Sequence, residues 1–409
     1  MLHKIIIKNY RTCLRTVLEC HPQLTVLIGP NSSGKTNILH GILILNKIVR
    51  ESEYQRNKGE SVKGPLYLRT TFLVGKAKAD YQATVYAYTT NINQDIIVDT
   101  KENLHLTNPR GITKVVKSPL YFGLQHRSIE YYINRLHPNY PFSEEKLPTW
   151  CKETISLISK YCLGIRYYRA SQFTNPGSCP VKFDIETEIK KGMEHRRLTG
   201  QGGHARMLYN MYISQKRGDS SSFSQFVDIV GPNGLGLIDK IIFKEIQTST
   251  VNTSVRVGGK IEKRRVRNLL IVPQFKKGNQ LLSPNQLSEG TFKTISLLFN
   301  VITDDSTALL IEEPEVCIHH GLLSTILELI KKYSAKKQMF VSTHSDYVLD
   351  HVSPENVFAV KYDKKSGTEV RHIKKTMTTK EFSALRHYLD NEGNLGEYWR
   401  DGGLEEDSN

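Results

Sequence analysis

The apolar positions along this chain change period several times, and each change marks an element. Residues 2–9 alternate like a strand, with Ile5 and Ile7 set among Lys4, Ile6 and Lys8. Leu24-Thr25-Val26-Leu27-Ile28 is a continuous, largely apolar run, the pattern of a central strand buried on both faces. A glycine-bearing loop follows, and then Ile38, Leu39, Ile42, Leu43, Leu45 and Ile48 recur at helical spacing. Residues 66–100 are rich in Tyr, Thr and Val with turn residues between the runs, which predicts antiparallel strands. Residues 124–164 read as mostly helical, and 165–173 as a strand ended by Asn175-Pro176-Gly177. The stretch 185–250 carries long helical patterns broken at Gly200–Gly203. Val255–Val257 and Ile261–Val272 flank Gly258-Gly259, a hairpin signal.

From 287 onward the order is helix, strand (307–311), helix (321–333), strand (338–342) and helix. That alternation predicts parallel strands flanked by helices. The fold class expected is therefore α/β: a mixed sheet with flanking helices, an antiparallel β lobe and a largely helical insertion. The length, 409 residues, allows more than one lobe. No apolar run is long enough to span a bilayer, and Met1–Tyr10 lacks a signal-peptide core, so the expected location is the cytoplasm, with no membrane partner. Six cysteines are scattered without a CxxC pair, which argues against a disulfide scaffold or a zinc site. The net charge of +15 suits a polyanionic partner such as DNA, and equally suits general solubility.

Candidate chemistry sits at the strand ends. Gly29-Pro30-Asn31-Ser32-Ser33-Gly34-Lys35-Thr36 matches GxxxxGK[ST] and lies after an apolar strand and before a helix. In that setting glycines let backbone N–H groups wrap phosphates, Lys35 can reach the β- and γ-phosphates, and Thr36 can ligate Mg²⁺. Ala308–Ile311 is an apolar strand that ends in Glu312 and Glu313. Glu312 is placed for Mg²⁺, and Glu313 for orienting and deprotonating a water. Val341-Ser342-Thr343-His344-Ser345 ends the next strand, where His344 can bond a γ-phosphate. Leu287-Ser288-Glu289-Gly290 opens a helix; Ser288 is a natural N-cap, and the same geometry can bind a phosphate.

The order of phosphate loop, LSEG, LLIEEPE and STHS resembles the ABC-type ATPases of the SMC, RecF and OLD group, and most of all the OLD-like ATPases of anti-phage systems such as Septu and PARIS. Ile7-Lys8-Asn9-Tyr10-Arg11 resembles that group's first strand, and Glu312-Glu313-Pro314-Glu315 with His319 its second acidic motif and the loop after it. The resemblance implies ATP and Mg²⁺ as cofactors, Arg11 as a further nucleotide contact, Glu313 as catalytic base and His344 as switch histidine. It also implies that Ser288, Glu289 and Gly290 act in trans on a second subunit's nucleotide. Gln172 is the candidate for the glutamine that completes the metal site. Two positions depart from the group's pattern: Glu312, where Asp is commoner, and His320, where Pro is usual.

The implied organisation is an ATPase head over 1–110, a mainly helical insertion over 111–250, the second half of the head over 251–360 and an extension over 361–409 that could bind a partner. Only about 60 residues follow His344, too few for the Toprim domain of OLD nucleases. No heptad run suggests an SMC arm. The expected role is an ATP-hydrolysing subunit that dimerises through nucleotide and acts as sensor or scaffold for a separate effector nuclease of HNH or Toprim type. The alternative is a RecF-like repair ATPase that binds DNA itself. Lys260, Lys263, Arg264, Arg265 and Arg267 on the hairpin, and Lys190, Lys191, Arg196 and Arg197 on a helix, are phosphate-contact candidates or a solvated face. His195 and His204, with Asp184, Glu186, Glu188 and Glu194, show no nuclease spacing and read as structural. Tyr131, Tyr132 and Tyr140 read as core.

Overall fold

The computed structural model describes residues 1–50, 65–89, 96–117, 147–169, 176, 179–184, 202–218, 221–255, 261–316, 318, 320–391 and 393–400. Several expectations fall outside these residues: Gln172, the Gly258-Gly259 turn with Lys260, the three tyrosines, His195 with the acids at 186, 188 and 194, the basic cluster at 190–197, and His319. The chain divides into two compact units, one of Met1–Tyr167, Asp305–Glu313 and Ile330–Asn409, the other of Tyr168–Asp304 and Pro314–Leu329.

The first unit holds two six-stranded sheets. One is antiparallel and contains β1 (Leu2–Tyr10), β2 (Cys13–Glu19), β4 (Leu66–Val74), β5 (Ala77–Thr89), β6 (Ile96–Thr107) and β7 (Thr113–Lys117), in the order β2-β1-β4-β5-β6-β7. The other contains β3 (Leu24–Ile28), β8 (Ile165–Arg169), β13 (Ala308–Glu312), β14 (Gln338–Thr343), β15 (Val357–Asp363) and β16 (Gly367–His372), in the order β16-β15-β3-β14-β13-β8. Within it β13, β14, β3 and β15 run parallel, and β16 returns antiparallel. Every residue of β3, β13 and β14 is buried, as continuous apolar runs require. Helix α1 (Lys35–Arg50) follows β3, and α2 (Thr149–Leu163) precedes β8. Ile38, Leu39, Ile42 and Leu45 of α1 join Ile5 and Ile7 of β1, Leu68 of β4 and Phe340 of β14 in one apolar core.

Gln338 knits this unit together. Its Oε1 accepts from the Leu2 N–H (3.1 Å) and the Tyr161 hydroxyl (2.6 Å), and its Nε2 donates to the carbonyls of Leu2 (2.8 Å) and His21 (2.8 Å). A buried amide with this many partners is stabilising only while all of them are present. The described cysteines are free and buried, and burial pushes the thiols up, to about 11 at Cys13 and about 12 at Cys162. Among the described residues no helix is long and apolar enough to cross a membrane.

The second unit contains β9 (Phe183–Asp184), α3 (Gly202–Arg217), α4 (Ser221–Val230), the hairpin β10 (Lys240–Val255) and β11 (Ile261–Lys277), β12 (Gln280–Leu282) and α5 (Glu289–Thr303). Its core brings Phe226 of α4 edge-on to Phe299 of α5 at 5.3 Å. The hairpin expected around 258–259 is present, but its first arm begins at Lys240. Residues 240–250, read above as helical, are therefore strand. The stretch carries Ile241, Ile242, Ile246, Thr248 and Thr250, whose branching favours a pleated chain, and β11 supplies an unbroken partner from Lys276 back to Ile261. Pro273 falls in β11 between the residues that pair with β9 and those that pair with β12, where a missing N–H leaves neither ladder broken.

In chain order, α6 (His320–Ser334) links β13 to β14. Beyond β14 come α7 (Asp346–Leu349), α8 (Ile373–Thr376), α9 (Thr379–Asn391) and α10 (Leu395–Arg400). Residues 361–372 are thus not an appendage: they form the end of β15 and all of β16 in the central mixed sheet.

Gln338→Ala should strip partners from the buried Tyr161 hydroxyl and the Leu2 backbone. We expect a loss of about 3 kcal/mol in unfolding free energy, read by urea titration of the fluorescence of Trp150 on α2. An unchanged midpoint would show that these groups find other partners.

Candidate nucleotide site

The site grows from the C-terminal ends of β3, β13 and β14. β3 stops at Ile28, and the loop 29–34 turns into α1. Two glycines make that turn possible. A Cβ on Gly29 would lie 2.2 Å from the Val360 carbonyl of the neighbouring β15. Gly34 has φ +104°, and a Cβ there would lie 2.0 Å from Thr368 Oγ1. Thr368, on β16, underpins the loop: its Oγ1 is 3.1 Å from the Ser33 carbonyl and 2.7 Å from Thr12 Oγ1, which also accepts from Asn37 Nδ2 at 2.7 Å. Lys35 is buried, and its ammonium donates to the carbonyls of Gly29 (2.7 Å) and Pro30 (2.9 Å), so it spans the loop it belongs to. Ser33 Oγ is buried and has no hydrogen-bond partner among the described residues.

Glu312 is 3% exposed at the end of β13. Its Oε1 accepts from Thr36 Oγ1 on α1, and its Oε2 accepts from the Tyr167 hydroxyl on β8. The Tyr167 ring stands edge-on to His40 at 5.1 Å, and His40 Nδ1 lies 2.9 Å from Arg11 Nη1. Arg11 occupies the β1–β2 turn with φ +52° and also reaches Asn37 Oδ1 at 3.3 Å. Glu313 departs from the strand: its φ is +49°, a left-handed conformation that costs a non-glycine residue about 1 kcal/mol. Its N–H donates to the Ser342 carbonyl (2.9 Å), and Glu313 Oε1 lies 3.8 Å from His344 Nδ1. The two adjacent acids thus face different surroundings, one buried against the loop and one open beside His344.

The turn after His344 is held by the far end of the chain. Arg400 Nε donates to Asp346 Oδ2 at 2.9 Å, and the Gly396 N–H donates to Asp350 Oδ1 at 2.8 Å. Burial pushes both carboxyls up. At Asp346 the Arg400 guanidinium and the Tyr347 N–H outweigh burial and hold the group below the usual carboxylate range, whereas Asp350 stays raised.

The fit to a nucleotide can be judged from these donors. Buried Ser33 Oγ, the Lys35 ammonium and a cradle that admits no Cβ at Gly29 or Gly34 suit an anion, with the helix N-terminus behind them. A Thr hydroxyl against a single carboxylate suits Mg²⁺, which takes one or two carboxylates and completes its shell with phosphate oxygens and water. The structure therefore gathers the 29–36 loop, Arg11, Glu312, Glu313 and His344 in the first unit. Ser288, Glu289 and Gly290 lie in the second, where Ser288 Oγ caps α5 by accepting from the Thr291 N–H at 3.2 Å. Lys263, Arg264, Arg265 and Arg267 lie on β11, opposite Thr253, Asn252, Val251 and Ser249. Tyr167, His40 and Thr368 were not singled out from sequence. Tyr167 belongs to a strand that the pattern did predict, but Gln172 drew the assignment there.

Residues 1–149 match a domain model described as "AAA ATPase domain", and residues 226–350 match one described as "AAA domain, putative AbiEii toxin, Type IV TA system". The DNA replication and repair protein RecF of Staphylococcus epidermidis is 32% identical over 90 residues, which are 19% of this chain and 24% of that protein. RecF of Listeria welshimeri is 27% identical over 157 residues, 34% of this chain and 39% of that protein. The matches thus span about a quarter of the first RecF relatives' length. Among solved structures, an SMC head bound to the C-winged helix domain of ScpA aligns with TM-score 0.46 and 14% identity, over 92% of this chain and 99% of that one. The SMC head domain from Thermotoga maritima aligns with TM-score 0.38 and 11% identity, over 91% and 99%. The two domain models are both described as AAA domains, one of them an AAA ATPase domain, and the chain is similar in part to RecF.

Tyr167→Phe removes one donor from the Glu312 carboxylate. A hydrogen bond to a charged group contributes about 1.5 kcal/mol, so magnesium-dependent ATP affinity should fall roughly tenfold. Titration of a fluorescent ATP analogue with and without Mg²⁺ checks this; an equal loss in both would mean that the phenol does not act through Glu312.

Proposed function

We propose that this chain binds and hydrolyses ATP, and that ATP joins two copies of it. The observation that carries the reading is the meeting of Thr36 with Glu312, and of Glu313 with His344, around one glycine-built phosphate cradle. Backbone N–H groups of 29–34 and the Lys35 ammonium would hold the phosphates, while Thr36 and Glu312 would hold Mg²⁺. That ion, when bound, neutralises charge on the phosphoryl oxygens. Glu313 orients the attacking water and accepts its proton, and its half-exposed carboxylate leaves room for that water. His344 bonds the γ-phosphate from the adjoining strand end. The exposed Ser288 and half-buried Gly290 at the start of α5 supply a phosphate-binding helix end to the second copy's nucleotide.

On this reading the chain is the sensor or scaffold subunit of an OLD-like defence complex, and a separate HNH- or Toprim-type nuclease is its effector. The match of 226–350 to a model named for a toxin of a TA system favours a two-component setting. The second reading, a RecF-like clamp that binds DNA directly, is favoured by the RecF stretches and by the basic residues on β11. Charge reversal at Arg264 and Arg265 separates the two: it should abolish DNA binding by a clamp and leave recruitment of a nuclease intact.

Glu313→Gln should slow ATP turnover at least a hundredfold while keeping ATP bound, and light scattering should then show the mass doubling with ATP. Ser288→Arg in the same background should keep ATP binding and lose the doubling. Normal turnover by Glu313→Gln would remove Glu313 from the role of base.

A further inference from the structure

Lys293 lies on α5, one turn beyond Glu289, and is completely buried. An ammonium removed from water is tolerated only when its charge is paired and its N–H groups are bonded. Lys293 Nζ lies 3.4 Å from the Glu289 carboxylate and donates to the Val316 carbonyl at 3.3 Å. Glu289 belongs to the Ser288–Gly290 turn. Val316 belongs to the segment Pro314–Val316 that directly follows Glu313 in the chain. One buried charge therefore ties the first turn of α5 to the backbone of a segment more than 20 residues further on. Two bonds fix the frame around it: the Tyr168 hydroxyl donates to the Lys293 carbonyl at 3.3 Å, and Thr294 Oγ1 donates to the Gly290 carbonyl at 2.8 Å. An apolar side chain at 293 would fill the same space without the desolvation cost, so what sets lysine apart here is the pair of groups its ammonium touches.

We propose that Lys293 is a positioning residue that locks the Ser288–Gly290 turn and the 314–316 segment into one surface, and that this surface is what a second copy of the chain meets when its nucleotide is bound. The proposal rests on the dimer reading given above. It also gives Glu289 a role different from contacting the nucleotide: its carboxylate is held by Lys293, and it orients the turn rather than facing a phosphate. The lysine belongs to the second unit and the 29–36 loop to the first, so its removal separates association from nucleotide binding.

The test uses the full chain in the Glu313→Gln background. ATP-driven association is measured by light scattering across protein concentration, and ATP affinity is measured with a fluorescent analogue at concentrations where single copies predominate. The parent is expected to dimerise with ATP. Lys293→Met should bind ATP within twofold of the parent and dimerise at least tenfold more weakly. Lys293→Arg, which keeps the charge, should recover most of the association. Glu289→Gln, which keeps the Val316 bond, should fall between. If Lys293→Met fails to fold, Glu289→Gln and Lys293→Arg carry the comparison. Association by Lys293→Met as tight as the parent's, or by Glu289→Gln where Lys293→Met cannot be made, would overturn the proposal alone. So would a loss of ATP affinity in step with association. A parent that stays monomeric with ATP would overturn the dimer reading, and this inference with it.

Discussion

Glu312 places a carboxylate at the end of an apolar strand, nearly out of reach of water, and much of the first unit is arranged so that this charge can exist. An unpaired carboxylate there would cost several kcal/mol. Thr36 and Tyr167 each donate to one of its oxygens, and they come from α1 and β8. Both donors depend on the sheet order. β8 lies beside β13 on one edge, and β3, which aims α1, lies one strand beyond β14 on the other side. Any slip in that order would separate the acid from its donors and leave the charge buried and alone. The same order brings Thr36 and Glu312 together, so the contact that stabilises the buried acid also sets a hydroxyl beside a carboxylate, a pair that suits a hard cation.

The neighbouring acid shows how environment divides labour between two identical groups. Glu312 is fixed by two bonds and buried. Glu313, one residue on, turns its backbone into the left-handed region and carries its carboxylate out beside His344, where both side chains keep contact with solvent. A rigid, doubly bonded carboxylate suits a ligand for a hard cation. A carboxylate with open lone pairs suits the exchange of a proton with water.

Most of this was legible in the sequence where the signal is local. The 29–34 loop was legible by its glycine spacing between a strand and a helix, and β3, β13 and β14 by unbroken apolar runs. The positions of Glu312, Glu313 and His344 at or just after the ends of β13 and β14 were legible in the same way. What could not be read was set by contacts distant along the chain. Thr368 supports the loop from more than 300 residues away, and nothing in its own surroundings marks it. Residues 361–372 read as an extension because the hairpin they form with the end of β15 joins the mixed sheet through the pairing of Val357–Ala359 with β3, far back in the chain. Residues 240–250 were misread because their local pattern is ambiguous, and the long pairing with β11 decided the outcome. Tyr167 sat in a strand that was correctly expected, but a tyrosine in the short run Ile165-Arg166-Tyr167-Tyr168-Arg169 carries no mark of function until its hydroxyl is seen to reach a carboxylate.

The position of β3 has a consequence for how the chain is made. β3 and the loop it carries are synthesised more than 300 residues before β14 and β15, the strands that β3 pairs with on its two sides. During synthesis the cradle must therefore wait, without either neighbour, for more than 300 further residues, and the closing entropy of that loop is met only when β14 to β16 arrive. The turn after His344 waits longer still, for Gly396 and Arg400. A chain stopped before β14 would carry the complete 29–36 loop sequence and still lack the strands that flank β3, so the shape of that loop is tied to the synthesis of β14 to β16.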